Sequence, residues 1–158
     1  MTIGVISDTH SLLIPPQVLK AFANLDLIIH VGDLCDGSVL KQLGALAELR
    51  AVQGNMDDMA LKKKLPMRDI IVTQGVKIGV VHGHGPQREA LLNAKAAFKD
   101  TQVDMVIFGH SHQAFHETID GVVYFNPGSP NDTVRAPFCS YGLIKVKNGK
   151  IDAQIVKI

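Results

Sequence analysis

One pattern recurs five times along the chain and constrains its fold more than any other feature. A short apolar run ends, and a group of Gly, Asp, Asn or His follows at once. The groups are Ser7-Asp8-Thr9-His10, Gly32-Asp33, Gly54-Asn55, His82-Gly83-His84 and Gly109-His110-Ser111-His112. Apolar runs of this length, closed by turn residues, read as buried strands. The first two, Ile3–Ser7 and Leu27–Val31, with Arg50–Gln53 as a shorter strand candidate, alternate with helical spacing. That spacing is carried by Val18, Leu19, Phe22 and Ala23, then by Val39, Leu40, Leu43 and Leu46. Pro15-Pro16 suits the start of the first helix, where a missing N–H costs nothing. A βαβαβ opening favours parallel strands joined by right-handed crossovers.

The middle changes style. Ile70–Val72 and Val76–Val81 read as a hairpin turning through Gln74-Gly75. Pro86–Lys99 predicts a helix, with Ala90, Leu91, Ala94, Ala97 and Phe98 on one face. Val103–Phe108 is another buried strand. Asp120-Gly121 and Asn148-Gly149 signal tight hairpin turns between alternating runs, so the C-terminal third is expected to be antiparallel. No repeat or linker interrupts the pattern, and residues 1–158 are expected to form one domain. The expected fold class is α/β, with two packed mixed β-sheets flanked by helices.

Composition excludes several functions. The formal net charge is only +1, and there is no Trp. A dedicated nucleic-acid surface built on charge and aromatic stacking is therefore not expected. Lys62-Lys63-Lys64 reads as a solvated face. The two cysteines, Cys35 and Cys139, form no CxxC and no disulfide framework. Met1–Ser7 has no basic n-region and no long apolar stretch, so no signal peptide is expected, and no apolar run is long enough to span a membrane. The expectation is a cytoplasmic protein with reduced thiols and no membrane partner.

The polar groups at the strand ends share one vocabulary of carboxylate, imidazole and amide oxygen, which is metal-ligand chemistry. Singly, each has an ordinary reading. Asp8 and His10 would suit a solvated loop, Asp33 a turn or cap, Asn55 a turn, and His82 and His84 a surface loop. If their strands are neighbours, the five loops converge on one rim, since ligands of α/β sheets bind beyond the carboxyl ends of the strands.

In order and spelling, Asp-x-His, Gly-Asp, Gly-Asn-x-Asp, His-Gly-His and Gly-His-x-His resemble the calcineurin-like metallophosphoesterase superfamily. The resemblance runs from Asp8 to about Ser129. With Asn126-Pro127-Gly128-Ser129 and the short length, the chain is similar to the small bacterial and archaeal phosphodiesterase branch. The retromer scaffold subunit is a relative of that branch. The resemblance implies a four-layer α-β-β-α sandwich and two divalent ions, manganese first, then iron, nickel or zinc. It implies that Asp8, His10, Asp33 and His112 hold one ion. Asp33, Asn55, His82 and His110 would hold the other, with Asp33 bridging. The implied reaction is hydrolysis of a phosphodiester, with phosphomonoesters also open, by metal-activated hydroxide. The implied substrate is a small phosphoester such as a nucleotide. The alternative is a non-catalytic protein-interaction scaffold of the same fold. A small homo-oligomer is left open.

One position departs from the pattern. Many members carry His after Gly-Asn, whereas Met56 stands here and cannot exchange a proton. His84 is the substitute donor, with a hydrogen bond to a metal ligand as its alternative role. The catalytic candidates are thus His84 and Asn55. His30 reads as a satisfied core histidine and His116 as an exposed strand residue. Asp57 and Asp58 could cap the next segment, and Asn126–Ser129 reads as a turn near the site.

Overall fold

Ile3, Val5 and Ile6 are fully buried, as a strand covered on both faces requires. They belong to β1 (Thr2–Ile6) in a computed structural model that describes residues 1–11 and 13–158. There follow α1 (Pro16–Phe22), β2 (Leu27–His30), α2 (Ser38–Gly44) and β3 (Glu48–Ala51). Next come α3 (Met59–Lys64), β4 (Arg68–Thr73), β5 (Val76–Val81) and α4 (Ala90–Ala97). The chain ends with β6 (Met105–Ile107), β7 (Phe115–Ile119), β8 (Val122–Asn126), β9 (Ser140–Lys147) and β10 (Lys150–Lys157).

The strands form two mixed sheets, ordered β10-β9-β1-β2-β3 and β4-β5-β6-β8-β7. In the first, β1, β2 and β3 run parallel, with Val5 opposite Ile29 and Ile29 opposite Arg50. In the second, β5, β6 and β8 run parallel, with Val80 opposite Ile107 and Ile107 opposite Phe125. Residues of alternating parity explain the layers. Ile3, Val5, Leu27 and Ile29 face Ile78, Val80, Met105, Ile107 and Phe125 between the sheets. On the outer side of the first sheet, Ile28 packs with Val18, Phe22, Val39, Leu43 and Leu61 from the helices. Outside the second, Val106 and Phe108 pack with Ala90, Ala94 and Phe98. The result is two mixed sheets flanked by helices. Each fully buried Ile, Leu or Phe contributes ~1.5–3 kcal/mol. At the edge, Arg50 on β3 ties the two sheets together by a bidentate pair with Asp69 on β4 at 2.7–2.9 Å.

Three expectations need correction. The segment 86–99 opens as a 3-10 turn, Gln87–Glu89, and only then becomes α4. Pro86 offers no side-chain cap, so its carbonyl closes a tight first turn with Glu89 N at 2.8 Å. The C-terminal third is not wholly antiparallel. β8 pairs antiparallel with β7 but parallel with β6. Lys63 and Lys64 are exposed, but Lys62 is half-buried and its Nζ donates to the Asn55 carbonyl at 2.7 Å. The hairpin turns lie where expected, with Gln74, Asp120 and Asn148 at positive φ, each followed by a glycine that is also positive. Among the described residues, no helix is long and apolar enough to cross a membrane.

Candidate metal centre

The parallel strands aim their carboxyl ends at one rim. β1 delivers Asp8 and His10, β2 delivers Asp33, and β3 leads to Asn55. From the other sheet, β5 delivers His82 and His84, and β6 delivers His110 and His112. One sheet carries four of the seven candidate ligands and the other three, and the packing of the two brings them together.

Five of these residues turn sharply as they leave their strands. Asp8, His10, Asp33, His110 and His112 have φ of 56°, 50°, 57°, 67° and 59°. Left-handed backbone costs a non-glycine residue ~1–2 kcal/mol, so the surrounding structure must enforce it. Backbone bonds between loops do so. Asp8 N donates to Gly32 O at 3.1 Å, His10 N to Asp33 O at 3.0 Å, and Gly109 N to His82 O at 3.1 Å. Asp57 adds a strut by accepting from Cys35 N and Gly54 N, both at 2.7 Å. Asp58 is the N-cap of α3, accepting from Leu61 N at 2.7 Å. Gly54 approaches Asp33 so closely that no side chain fits between them.

Two clusters form. Asp8, His10 and His112 lie within reach of one ion, and Asp33, His82 and His110 within reach of another. His10 Nε2 is 3.3 Å from His112 Nε2, and His112 Nε2 is 3.5 Å from Asp8 Oδ1. His82 Nε2 is 3.4 Å from Asp33 Oδ2 and 3.9 Å from Asp8 Oδ1. Asp33 Oδ2 also lies 3.9 Å from His10 Nε2, so it stands between the clusters. Asn55 is exposed on the adjoining loop, and Lys62 engages its carbonyl.

The hydrogen bonds on the far side of the rings decide what faces inward. His82 Nδ1 donates to Val31 O at 2.7 Å, and His110 Nε2 donates to Gly85 O at 2.7 Å. In the neutral ring the other nitrogen is then a bare acceptor. Asp8 Oδ1 and His82 Nε2 are buried and make no hydrogen bond among the described residues. Acceptors converging at these distances without a donor are matched by a cation. The donor set therefore fits divalent metal. Protons compete for the same lone pairs. Burial presses His82 down, but Asp33 and Asp8 outweigh it and hold it above its ordinary value. Burial alone would raise Asp33, but His82, the Met56 N–H and His10 hold its carboxyl at about 2.

The remaining candidates separate cleanly. His84 is exposed, and partial burial of its ring, with His82 and His110 nearby, lowers its pKa. It borders a cavity of about 350 Å³ with Met67, Arg68 and Asn93. Its ring makes no hydrogen bond among the described residues, so nothing supports a bond from it to a ligand. His30 is fully buried, with Nε2 3.1 Å from Thr9 Oγ1 and Nδ1 accepting from Gly32 N at 3.3 Å. His116 is exposed on β7. Asn126 and Ser129 are fully buried supports rather than solvent-facing groups. Asn126 Nδ2 donates to Gly109 O at 2.9 Å, and Ser129 Oγ donates to Asp8 O at 2.9 Å. A cavity of about 530 Å³ opens beside Ser111, lined by Gln87, Arg88, Leu91, Phe108, Phe115 and Arg135.

Residues 1–149 match the calcineurin-like phosphoesterase superfamily domain. The chain belongs to that superfamily. It is 38% identical to a probable metallophosphoesterase of Methanocaldococcus jannaschii, covering 100% of this chain and 82% of the relative. It is 32% identical to a phosphodiesterase of the same archaeon, covering 81% of this chain and 83% of that protein. Wild-type Vps29 of Entamoeba histolytica complexed with zinc superimposes with a TM-score of 0.79 at 27% identity, covering 99% of both chains. The superfamily and these relatives support a metal-dependent phosphoesterase.

Asp57, Lys62 and Asp132 escaped the sequence reading as parts of the site. Asp57 was read only as a cap, and Lys62 only as part of a charge run. Asp132 Oδ2 lies 2.5 Å from His112 Nδ1, and no local motif announces it.

Proposed function

We propose that the chain hydrolyses phosphodiesters at a dinuclear centre held by Asp8, His10, Asp33, Asn55, His82, His110 and His112. Residues 1–158 would act as one domain, in the cytoplasm that its two unpaired cysteines suit. The observation that carries the reading is the inward convergence of carboxylate oxygens and bare ring nitrogens, two of them buried without a partner. Divalent ions bound there supply Lewis acidity toward phosphoryl oxygens and a nucleophile at neutral pH. Manganese leads the candidates, with iron, nickel and zinc behind it. Zinc is the ion in the Vps29 complex.

The chain's own residues do the rest. Asp33, between the clusters, would be shared. Asp8 also accepts from His110 N at 3.0 Å, which locks the two halves of the site in register. Asn55, whose backbone carbonyl Lys62 braces, would offer its amide oxygen to the second group. Met56 contributes only its backbone, donating to Asp33 Oδ1 at 2.8 Å. His84, whose lowered pKa favours the neutral ring, would donate an N–H hydrogen bond to the leaving oxygen. The cavity beside Ser111 is large enough for the organic part of a small ester such as a nucleotide.

Likeness to Vps29 favours the scaffold as the second reading. The test is a metal-supplemented activity panel on chromogenic mono- and diesters, run beside Asp33→Ala and His82→Ala. Both variants should lose activity while keeping native circular dichroism. A protein that binds no divalent metal, with variants equal to wild type, would establish the scaffold instead.

A further inference from the structure

His112 differs from the other inward-facing histidines in what stands behind it. His82 and His110 lean on neutral backbone carbonyls, whereas His112 Nδ1 meets the carboxylate of Asp132 at 2.5 Å. That carboxylate is itself held. Its Oδ1 accepts from Val134 N at 2.8 Å and Arg135 N at 2.9 Å, and its Oδ2 from Arg135 Nη1 at 3.4 Å. The Asp132 N–H donates to Ser129 Oγ at 3.1 Å, and Ser129 Oγ donates to Asp8 O. Since His112 Nε2 lies 3.5 Å from Asp8 Oδ1, the contacts close a ring through Asp8, Ser129, Asp132 and His112.

We propose that Asp132 is a positioning residue that fixes His112 in its Nδ1–H tautomer and aims Nε2 at Asp8 and His10. An ionised carboxylate only accepts, so the shared proton must sit on His112 Nδ1. Nε2 is then bare and more basic than it would be behind a carbonyl, which strengthens it as a cation ligand. The tautomer stands on geometry alone. Its effect on cation affinity rests on the metal reading proposed above.

A single-atom exchange separates positioning from loop anchoring. In Asp132→Asn, the amide oxygen can still accept from Val134 and Arg135, so the loop is kept. The amide nitrogen then faces His112 Nδ1 as a donor. The ring must accept there, and its proton moves to Nε2, pointing into the site. The experiment records long-range 1H–15N histidine spectra of the full chain without metal at about pH 8, where an ordinary imidazole is neutral. Manganese titration calorimetry and a thermal scan accompany it.

Wild type should show His112 protonated on Nδ1, and Asp132→Asn on Nε2 with an unchanged melting temperature. Manganese affinity should fall roughly 10–100-fold in the variant. A wild-type proton on Nε2, in a neutral or a charged ring, overturns the proposal. So does a variant with the wild-type tautomer or undiminished manganese affinity. If wild type binds no manganese while the tautomers behave as stated, the metal reading fails and the assignment of Asp132 stands.

Discussion

Replacing Gly54 with alanine should uncouple the two central loops. A Cβ at this position would lie 2.9 Å from Asp33 Cγ and closer still to Asp33 Oδ1 and backbone N. Ordinary carbon contacts lie at about 3.5–4.0 Å, so the loops must part by roughly 1 Å. Nothing in the contact is a flexible side-chain end. The Asp33 carboxylate is fixed by Met56 N, and its backbone oxygen accepts from His10 N. Overpacking of this kind costs ~1–3 kcal/mol, and for a chain of this size each kcal/mol lowers Tm by about 2–4 °C. Activity should suffer more than stability. A shift of about 1 Å at a reacting centre can cost ~100-fold, which is about 2.7 kcal/mol. The assay is kcat/KM on a chromogenic diester with saturating manganese, beside a thermal scan. Gly44→Ala is the control. It closes α2, its nearest neighbour would be Leu49 Cδ2 at 3.9 Å, and a helical alanine should be neutral or stabilising by ~0.5–1 kcal/mol. A Gly54→Ala protein with wild-type activity would refute the steric argument.

Acid should act on stability and activity through different groups. Burial holds His30 at about 3 instead of 6.5. The unfolded chain then binds the extra proton, so stability of the metal-free protein is full above pH ~6.5 and falls below it by up to about 1.4 kcal/mol per unit. Urea titrations between about pH 7 and 4.5 should show this slope, flattened in His30→Gln. His82, held above its ordinary value, acts in the opposite sense: its contribution is full below pH ~6.5 and is lost as pH rises beyond that. Activity should fall from about pH 8 to pH 5 as protons compete with divalent metal for the site, and a flat profile would contradict a metal-dependent reaction. Asn126→Ala strips partners from Gly109 O, Ser111 Oγ and Gly128 N, and should cost ~1–3 kcal/mol in denaturant titrations. Chelation of protein loaded at a hundredfold excess over Kd should remove about 2.7 kcal/mol, read as a drop in Tm.

Much of the candidate site was legible because most of its candidate ligands sit just beyond an apolar run. Leu27–Val31 followed by Gly32-Asp33 states both a strand and what waits at its end. His30 was separable from the ligands because it lies inside such a run. What stayed hidden depends on contacts between distant segments. The parallel pairing of β8 with β6 is decided by the whole sheet, not by the Asp120-Gly121 turn beside it. Asp132 meets His112 across β7 and β8, held in place by Ser129, which also bonds Asp8 O. Lys62 left its charge run because α3 carries it over the Asn55 carbonyl. The 3-10 turn at Gln87–Glu89 reflects a missing cap, which helical spacing of the apolar residues cannot register.

The division of ligands between two sheets has a mechanical consequence. Asp8, His10 and Asp33 belong to one layer, and His82, His110 and His112 to the other. Cations seated among them would clasp both layers, adding to the Arg50–Asp69 pair that fastens one edge. Occupancy and sheet docking become a single equilibrium. The inner core must loosen before the clasp can open, and a repacking of Ile29 or Ile107 would be felt at the rim as altered cation release.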